Sequence, residues 1–188
     1  MGGTSPAGKE RGRMTQAWDV PPTPERGDST EEAIHTAVGA ALSVWETTEE
    51  EFAEIFAMLV NAEMGDLETA PAVRAYGVVT AASVRADMLQ VAAEAYFYTK
   101  PVPELESDFK ELLKSYRGWA ARRNDIAHGR SGQDSQTAGW YLYPGLFNTK
   151  RYPIRRPPTY LYSSVEIGRI KEGFEDLYQA ALDFAARL

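Results

Sequence analysis

Apolar residues recur at steps of three and four along four long stretches of the chain, and that spacing predicts four helices separated by proline, glycine and charged runs. The first opens at Ser29 or Thr30, an N-cap followed by Glu31 and Glu32 where the helix dipole favours acids. Its stripe is Ile34, Val38, Ala41, Trp45, Thr48, Phe52, Ile55 and Leu59, and it should end near Met64-Gly65. The run Glu49-Glu50-Glu51 with Glu54 reads as a solvated face, Thr47-Thr48 as a place for a kink, and His35 as a surface or interface histidine. The second helix should run from about Pro71 to about Tyr98, burying Val73, Gly77, Thr80, Val84, Met88, Val91 and Ala95, and Pro101 and Pro103 stop it. The third, about Glu104 to His128, carries Leu105, Phe109, Leu112, Tyr116 and Trp119 on one face, and Gly129 suits a left-handed terminating position. Ser163-Ser164-Val165-Glu166 is a capping box opening the fourth, whose stripe is Ile167, Ile170, Phe174, Leu177, Ala181, Phe184 and Leu188.

The remaining segments differ in character. Residues 1–28 are rich in Gly, Pro, Ser, Thr and charge and read as a disordered tail, leaving a single domain over 29–188. Trp18 is the large apolar side chain in that tail. Between Arg130 and Tyr162 the chain is too long for a bare loop and too aromatic for a linker. Trp140–Tyr143 and Thr159–Tyr162 are expected to pair as a short ribbon packed on the helices. The fold class is therefore all-α: a four-helix up-down bundle with a short β-ribbon or long ordered insertion between helices three and four.

Composition narrows the chemistry. At 188 residues and 44% apolar content the chain suits one domain with a real core. Without cysteine, and with His35 and His128 as its two histidines, it forms no disulfide and no tetrahedral Cys/His zinc site. No apolar run is long enough for a membrane span and no apolar signal core opens the chain, so a cytoplasmic protein is expected, with no cofactor or metal assigned. The net charge of −7 argues against an extended nucleic-acid surface, but the charge is unevenly spread. From Lys110 to Arg156 ten basic residues stand against three acidic ones, a local +7, and the rest of the chain carries −14. A local phosphate-binding site with an acidic surround fits that distribution. The alternative is that Arg122, Arg123, His128 and Arg130 simply complement the negative end of a helix.

The unusual residues gather at Arg122-Arg123-Asn124-Asp125-Ile126-Ala127-His128-Gly129. Arg123 is the next member of the third helix's apolar series, so it either meets a carboxylate or lines a site that wants charge. Asp87 and Glu94, at the edge of the second stripe, are natural partners, with Asp87 preferred; the alternative is that both lie on a solvated flank. Asn124 and Asp125 stand four and three residues before His128, and either can fix the imidazole's orientation. Arg122, Arg130, Lys150, Arg151, Arg155 and Arg156 are the candidate RNA contacts, interleaved with aromatics that can stack bases or form a satellite core.

Arg123-Asn124-Asp125-Ile126-Ala127-His128 resembles the signature of the HEPN superfamily, an arginine, a polar residue, three more, then histidine near a helix end. The resemblance implies a dimeric four-helix bundle with the motif facing its copy. It further implies a metal-independent endoribonuclease of a toxin–antitoxin or phage-defence system, with RNA as substrate and a cognate antitoxin as partner. In that chemistry Arg123 is the fixed cation for phosphate, His128 moves a proton and Asn124 orients the histidine or touches substrate. One chain supplies one motif histidine, so a two-histidine scheme requires the partner chain. HEPN domains also include non-catalytic nucleotide-binding, RNA-binding and dimerisation modules, and that alternative stays open.

Overall fold

Thr30 stops the incoming extended chain and starts α1 (Glu31–Leu59), its hydroxyl accepting from the Ala33 amide at 3.4 Å. A computed structural model describes residues 16–61, 70–135, 138–145 and 158–188. Among them the order is α1, α2 (Pro71–Val78), α3 (Ala82–Thr99), α4 (Pro103–Ala127), β1 (Arg130–Gln133), β2 (Trp140–Tyr143) and α5 (Ser164–Ala185). The chain is mostly helical, as the periodicity predicts. No described helix is long and apolar enough to cross a membrane.

The α1 stripe is buried from Ile34 through Ala41, Trp45, Thr48, Phe52 and Ile55 to Leu59, and packs chiefly against α5. The capping box of α5 forms as its sequence requires: the Ser163 hydroxyl accepts from the Val165 amide, and Glu166 accepts from the Ser163 amide at 2.9 Å. Asp28 adds a second cap, accepting from the Ser164 amide at 2.7 Å. Between α1, α4 and α5 the core is aromatic. Trp45 lies 5.0 Å from Phe174, and Phe52 lies 4.5 Å from Tyr116 between ring centroids. Each such ring, fully buried, contributes about 1.5–3 kcal/mol. Gly173 is required where it stands because the Trp119 indole lies directly over it.

Several sequence expectations need correction. The second predicted helix is broken: Val79, Thr80 and Ala81 leave the helix between α2 and α3. Gly77 and the β-branched residues after it hold a helix poorly. Arg85 then seals the break, its Nε donating to the Val79 carbonyl at 2.6 Å while Nη1 pairs with Glu49 at 2.6 Å. The break changes the helix phase, so α3 buries Ala86, Leu89, Ala93, Tyr96 and Phe97 and leaves Val84, Val91 and Tyr98 exposed. The acidic run is not all solvated. Glu49 and Glu51 are both buried, Glu49 also accepting from the Tyr116 hydroxyl at 2.9 Å. Burial pulls the Arg85 guanidinium pKa down, but Glu49 more than offsets it and the net shift is upward. Tyr116 is pushed above the usual phenol range by burial and then by its phenolic and carboxylate neighbours Tyr76 and Glu49.

Nor does Gly129 adopt the left-handed conformation: no described glycine has positive φ. The chain runs from His128 into β1, and glycine is needed there because a Cβ would meet Leu142 at 2.7 Å and the Asp125 carbonyl at 2.9 Å. The ribbon pairs differently from expectation. β1 and β2 are antiparallel, Arg130 opposite Tyr143 and Gln133 opposite Trp140, while Tyr162 joins Leu142 by a single bridge. Arg130-Ser131-Gly132-Gln133 has no β-forming side chain to announce it. α1 runs unbroken through Thr47-Thr48, and Thr48 returns its hydroxyl to the Val44 carbonyl at 2.9 Å. Its expected end near Met64-Gly65 lies outside the described residues, and the helix closes at Leu59. Within the stretch expected to be a free tail, Trp18 packs edge-on against Trp119 at 6.4 Å, and Asp28 bridges Trp140. His35 is exposed, 3.1 Å from the Ser131 hydroxyl.

Candidate functional site

The end of α4 sends two adjacent arginines to opposite environments. Successive helical residues are about 100° apart, so only one of Arg122 and Arg123 can continue the buried face. It is Arg122. Tyr160 and Tyr162, arriving from the far side of the insertion, cover the face on which Arg122, Asp125 and Ile126 emerge, and all three are buried. Arg122 Nη1 lies 3.1 Å from Asp125 Oδ2 and donates to the Tyr162 hydroxyl at 3.2 Å, which in turn donates to Asp125 at 3.1 Å. Tyr160 donates to the Asp125 main-chain carbonyl at 2.9 Å. Burial first, then the Asp125 charge, raises the Tyr162 pKa. The expected roles of these two residues are therefore corrected: Arg122 is walled off from any nucleic acid, and Asp125 serves the core beneath His128.

Arg123 faces the other way, into an open cavity of about 950 Å³ between α1, the start of α3 and α4. Asn124 and His128 line the same cavity, as does Asp87. The Arg123 side chain is about 30% exposed; its Nη2 sits 3.7 Å from Glu46 Oε1 on α1, and its Nη1 reaches the Asn124 amide oxygen at 3.5 Å. Its Nε is buried and has no partner among the described residues. His128 is the C-cap residue of α4. Its amide bonds back to the Asn124 carbonyl at 3.1 Å, and its exposed imidazole makes no hydrogen bond among the described residues.

Asp87 is not the partner of Arg123. Arg117 takes it at 2.9 Å and also donates to Gln90 at 2.9 Å, because Arg117 stands closer along α4 to the middle of α3. The carboxylate beside Arg123 is Glu46, which sequence reasoning missed, as it missed Arg85 and Arg117 as cavity walls. A signal was present. Arg117, Ala121, Asn124 and His128 follow one another at four, three and four residues, a second face of the third helix on which alanine leaves room between polar ends. Arg130 is exposed on β1 and stacks over the Tyr143 ring at 5.6 Å. Lys150, Arg151, Arg155 and Arg156 lie outside the described residues. Among the described residues no three His, Cys, Asp or Glu side chains cluster as a metal site.

The arrangement is a concave surface holding three guanidiniums, one imidazole and three carboxylates, with Ser83 and Thr80 at its edge. It can grip an oxyanion and move a proton without further machinery. Comparison with family models, curated proteins and solved structures gives no match to this chain.

Proposed function

We propose that this chain is a HEPN-type endoribonuclease that cleaves RNA without a metal ion, acting as a homodimer in the cytoplasm. In this reading the long helices α1, α3, α4 and α5 constitute an up-down bundle, and the protein is a toxin or phage-defence effector restrained by a cognate antitoxin. Arg123 binds the scissile phosphate through its fork of N–H donors, His128 gives a proton to the departing 5′-oxygen, and Asn124 holds Arg123 or the substrate in place. One observation carries the reading: of the residues in the motif, Arg123, Asn124 and His128 open into one cavity while Asp125 and Ile126 between them are buried in the core.

The dimer has its own support. Val84, Val91 and Tyr98 are 47%, 65% and 89% exposed on α3, the helix that also contributes Asp87 to the cavity rim. At seven-residue spacing these three side chains share one face of α3, flanked by Asp87 and Glu94, and a second copy docking there would cover them. Light scattering should give a dimer at tens of micromolar, and Val91→Lys should shift it to monomer; a wild-type monomer refutes the dimer.

The activity is tested with purified protein and single-stranded RNA in chelator. Cleavage should fall by about 100-fold or more in both His128→Ala and Arg123→Ala. RNA bound but left intact selects the nucleotide-binding alternative, and activity surviving both substitutions removes this site from consideration.

A further inference from the structure

Cleavage by a 2′-hydroxyl needs two proton transfers, one from the attacking oxygen and one to the leaving oxygen. His128 accounts for one of them. The cavity holds three carboxylates, and two are spoken for: Glu49 is buried between Arg85 and Tyr116, and Asp87 is held by Arg117 at 2.9 Å. Glu46 is the exception. Its side chain is 66% exposed, its approach to Arg123 at 3.7 Å is too long for a hydrogen bond, and it makes none among the described residues. It directly follows Trp45, whose buried indole anchors α1 at this point, so the Glu46 backbone is fixed while its carboxylate is exposed.

We propose that Glu46 is the catalytic base, so that one chain holds both proton-transfer groups. The inference rests on the ribonuclease reading above. In RNA the 2′-hydroxyl neighbours the carbon carrying the 3′-phosphate, so a carboxylate beside the guanidinium that grips the phosphate stands beside the attacking hydroxyl as well. The phosphate replaces Glu46 on Arg123. The carboxylate then takes the 2′-proton, the 2′-oxygen forms a bond to phosphorus, and the phosphorus–5′-oxygen bond breaks. His128 in its protonated form supplies the proton that the 5′-oxygen takes away. The products are a 2′,3′-cyclic phosphate and a 5′-hydroxyl, and no metal or other reactant enters. A second histidine from the partner chain becomes unnecessary.

The test compares Glu46→Gln and His128→Ala on two substrates: an RNA cut by the wild type, and the same RNA with sulfur replacing the 5′-bridging oxygen at the cut. A thiolate leaves without being protonated. His128→Ala should therefore lose about 100-fold or more on the oxygen substrate and regain most of it on the sulfur one, while Glu46→Gln stays impaired by a similar factor on both. Glutamine is isosteric and the position is exposed, so melting should be unchanged. Glu46→Gln cleaving the oxygen substrate within about threefold of wild type, or being rescued by sulfur, overturns the assignment. Mixing the two variants provides a second check. Activity returning to about a quarter of wild type would mean that the groups come from different chains, which overturns the one-chain site. Failure of the wild type to cut RNA removes the parent reading and this one together; a wild type that cuts while Glu46→Gln cuts equally well removes only the role of Glu46.

Discussion

Replacing each of the two adjacent arginines should have opposite consequences, and the structure supplies the magnitudes. The Arg122 and Asp125 side chains are 6% and 2% exposed, with nitrogen and oxygen 3.1 Å apart and Tyr162 bridging them. Arg122→Met takes the cation from a buried carboxylate, and breaking a pair of this kind costs about 3–5 kcal/mol. At about 2–4 °C per kcal/mol for a chain of this size, melting should fall by roughly 6–20 °C. Arg123 is different. Its contact with Glu46 is 3.7 Å long with side chains 30% and 66% exposed, the kind of pair that contributes about 0–1 kcal/mol. Arg123→Met should therefore move melting by less than about 4 °C while removing activity. Adding Asp125→Asn to Arg122→Met should recover part of the loss, since an amide is cheaper to bury than a stranded carboxylate. Thermal unfolding followed by far-ultraviolet circular dichroism reads all of these. A larger loss for Arg123→Met than for Arg122→Met would refute the assignment of one arginine to the core and the other to the cavity.

Two further outcomes follow from particular contacts. Glu51→Gln should raise the melting temperature at neutral pH, because burial first and Glu54 second lift the Glu51 carboxyl above its ordinary range. A carboxyl whose pKa is raised on folding loses stability as pH climbs from its unfolded to its folded value, so the advantage of Gln should vanish below about pH 4.5; an advantage that persists in acid contradicts the cause given. Gly173→Ala should lower melting, costing about 1–3 kcal/mol, because its methyl enters the Trp119 ring. Unchanged melting would mean that Trp119 has room to move.

The fold was legible where a long periodic stripe coincided with a cap. The stripes of α1, α4 and α5 carry large residues on one side and polar ones on the other, and Thr30 and Ser163 mark starts that the structure keeps. The second helix was not legible in phase. Its residues are small and apolar on several sides, so a stripe can be drawn through Val84 and Val91 as easily as through Leu89 and Ala93, and three non-helical residues decide between them. Local pattern likewise could not choose between Arg122 and Arg123, since the choice is made by Tyr160 and Tyr162, 35 and 37 residues from Asp125. Glu49 looked solvated among its acidic neighbours for the same reason: the arginine that pairs with it is 36 residues away. Of the candidate site, Arg123, Asn124 and His128 line one cavity although five helical residues set Arg123 and His128 about 140° apart, and Glu46 was hidden because its link to them is through space.

The most direct measurement is the chemistry of the ends. Purified protein should be incubated with a defined single-stranded RNA in excess chelator and the fragments analysed by mass spectrometry, with His128→Ala alongside. Fragments ending in a 2′,3′-cyclic phosphate with a 5′-hydroxyl on the other side, formed by the wild type and absent with His128→Ala, are the expected result. Intact RNA across several substrates, or ends bearing a 3′-hydroxyl and a 5′-phosphate, would contradict a ribonuclease built on Arg123 and His128.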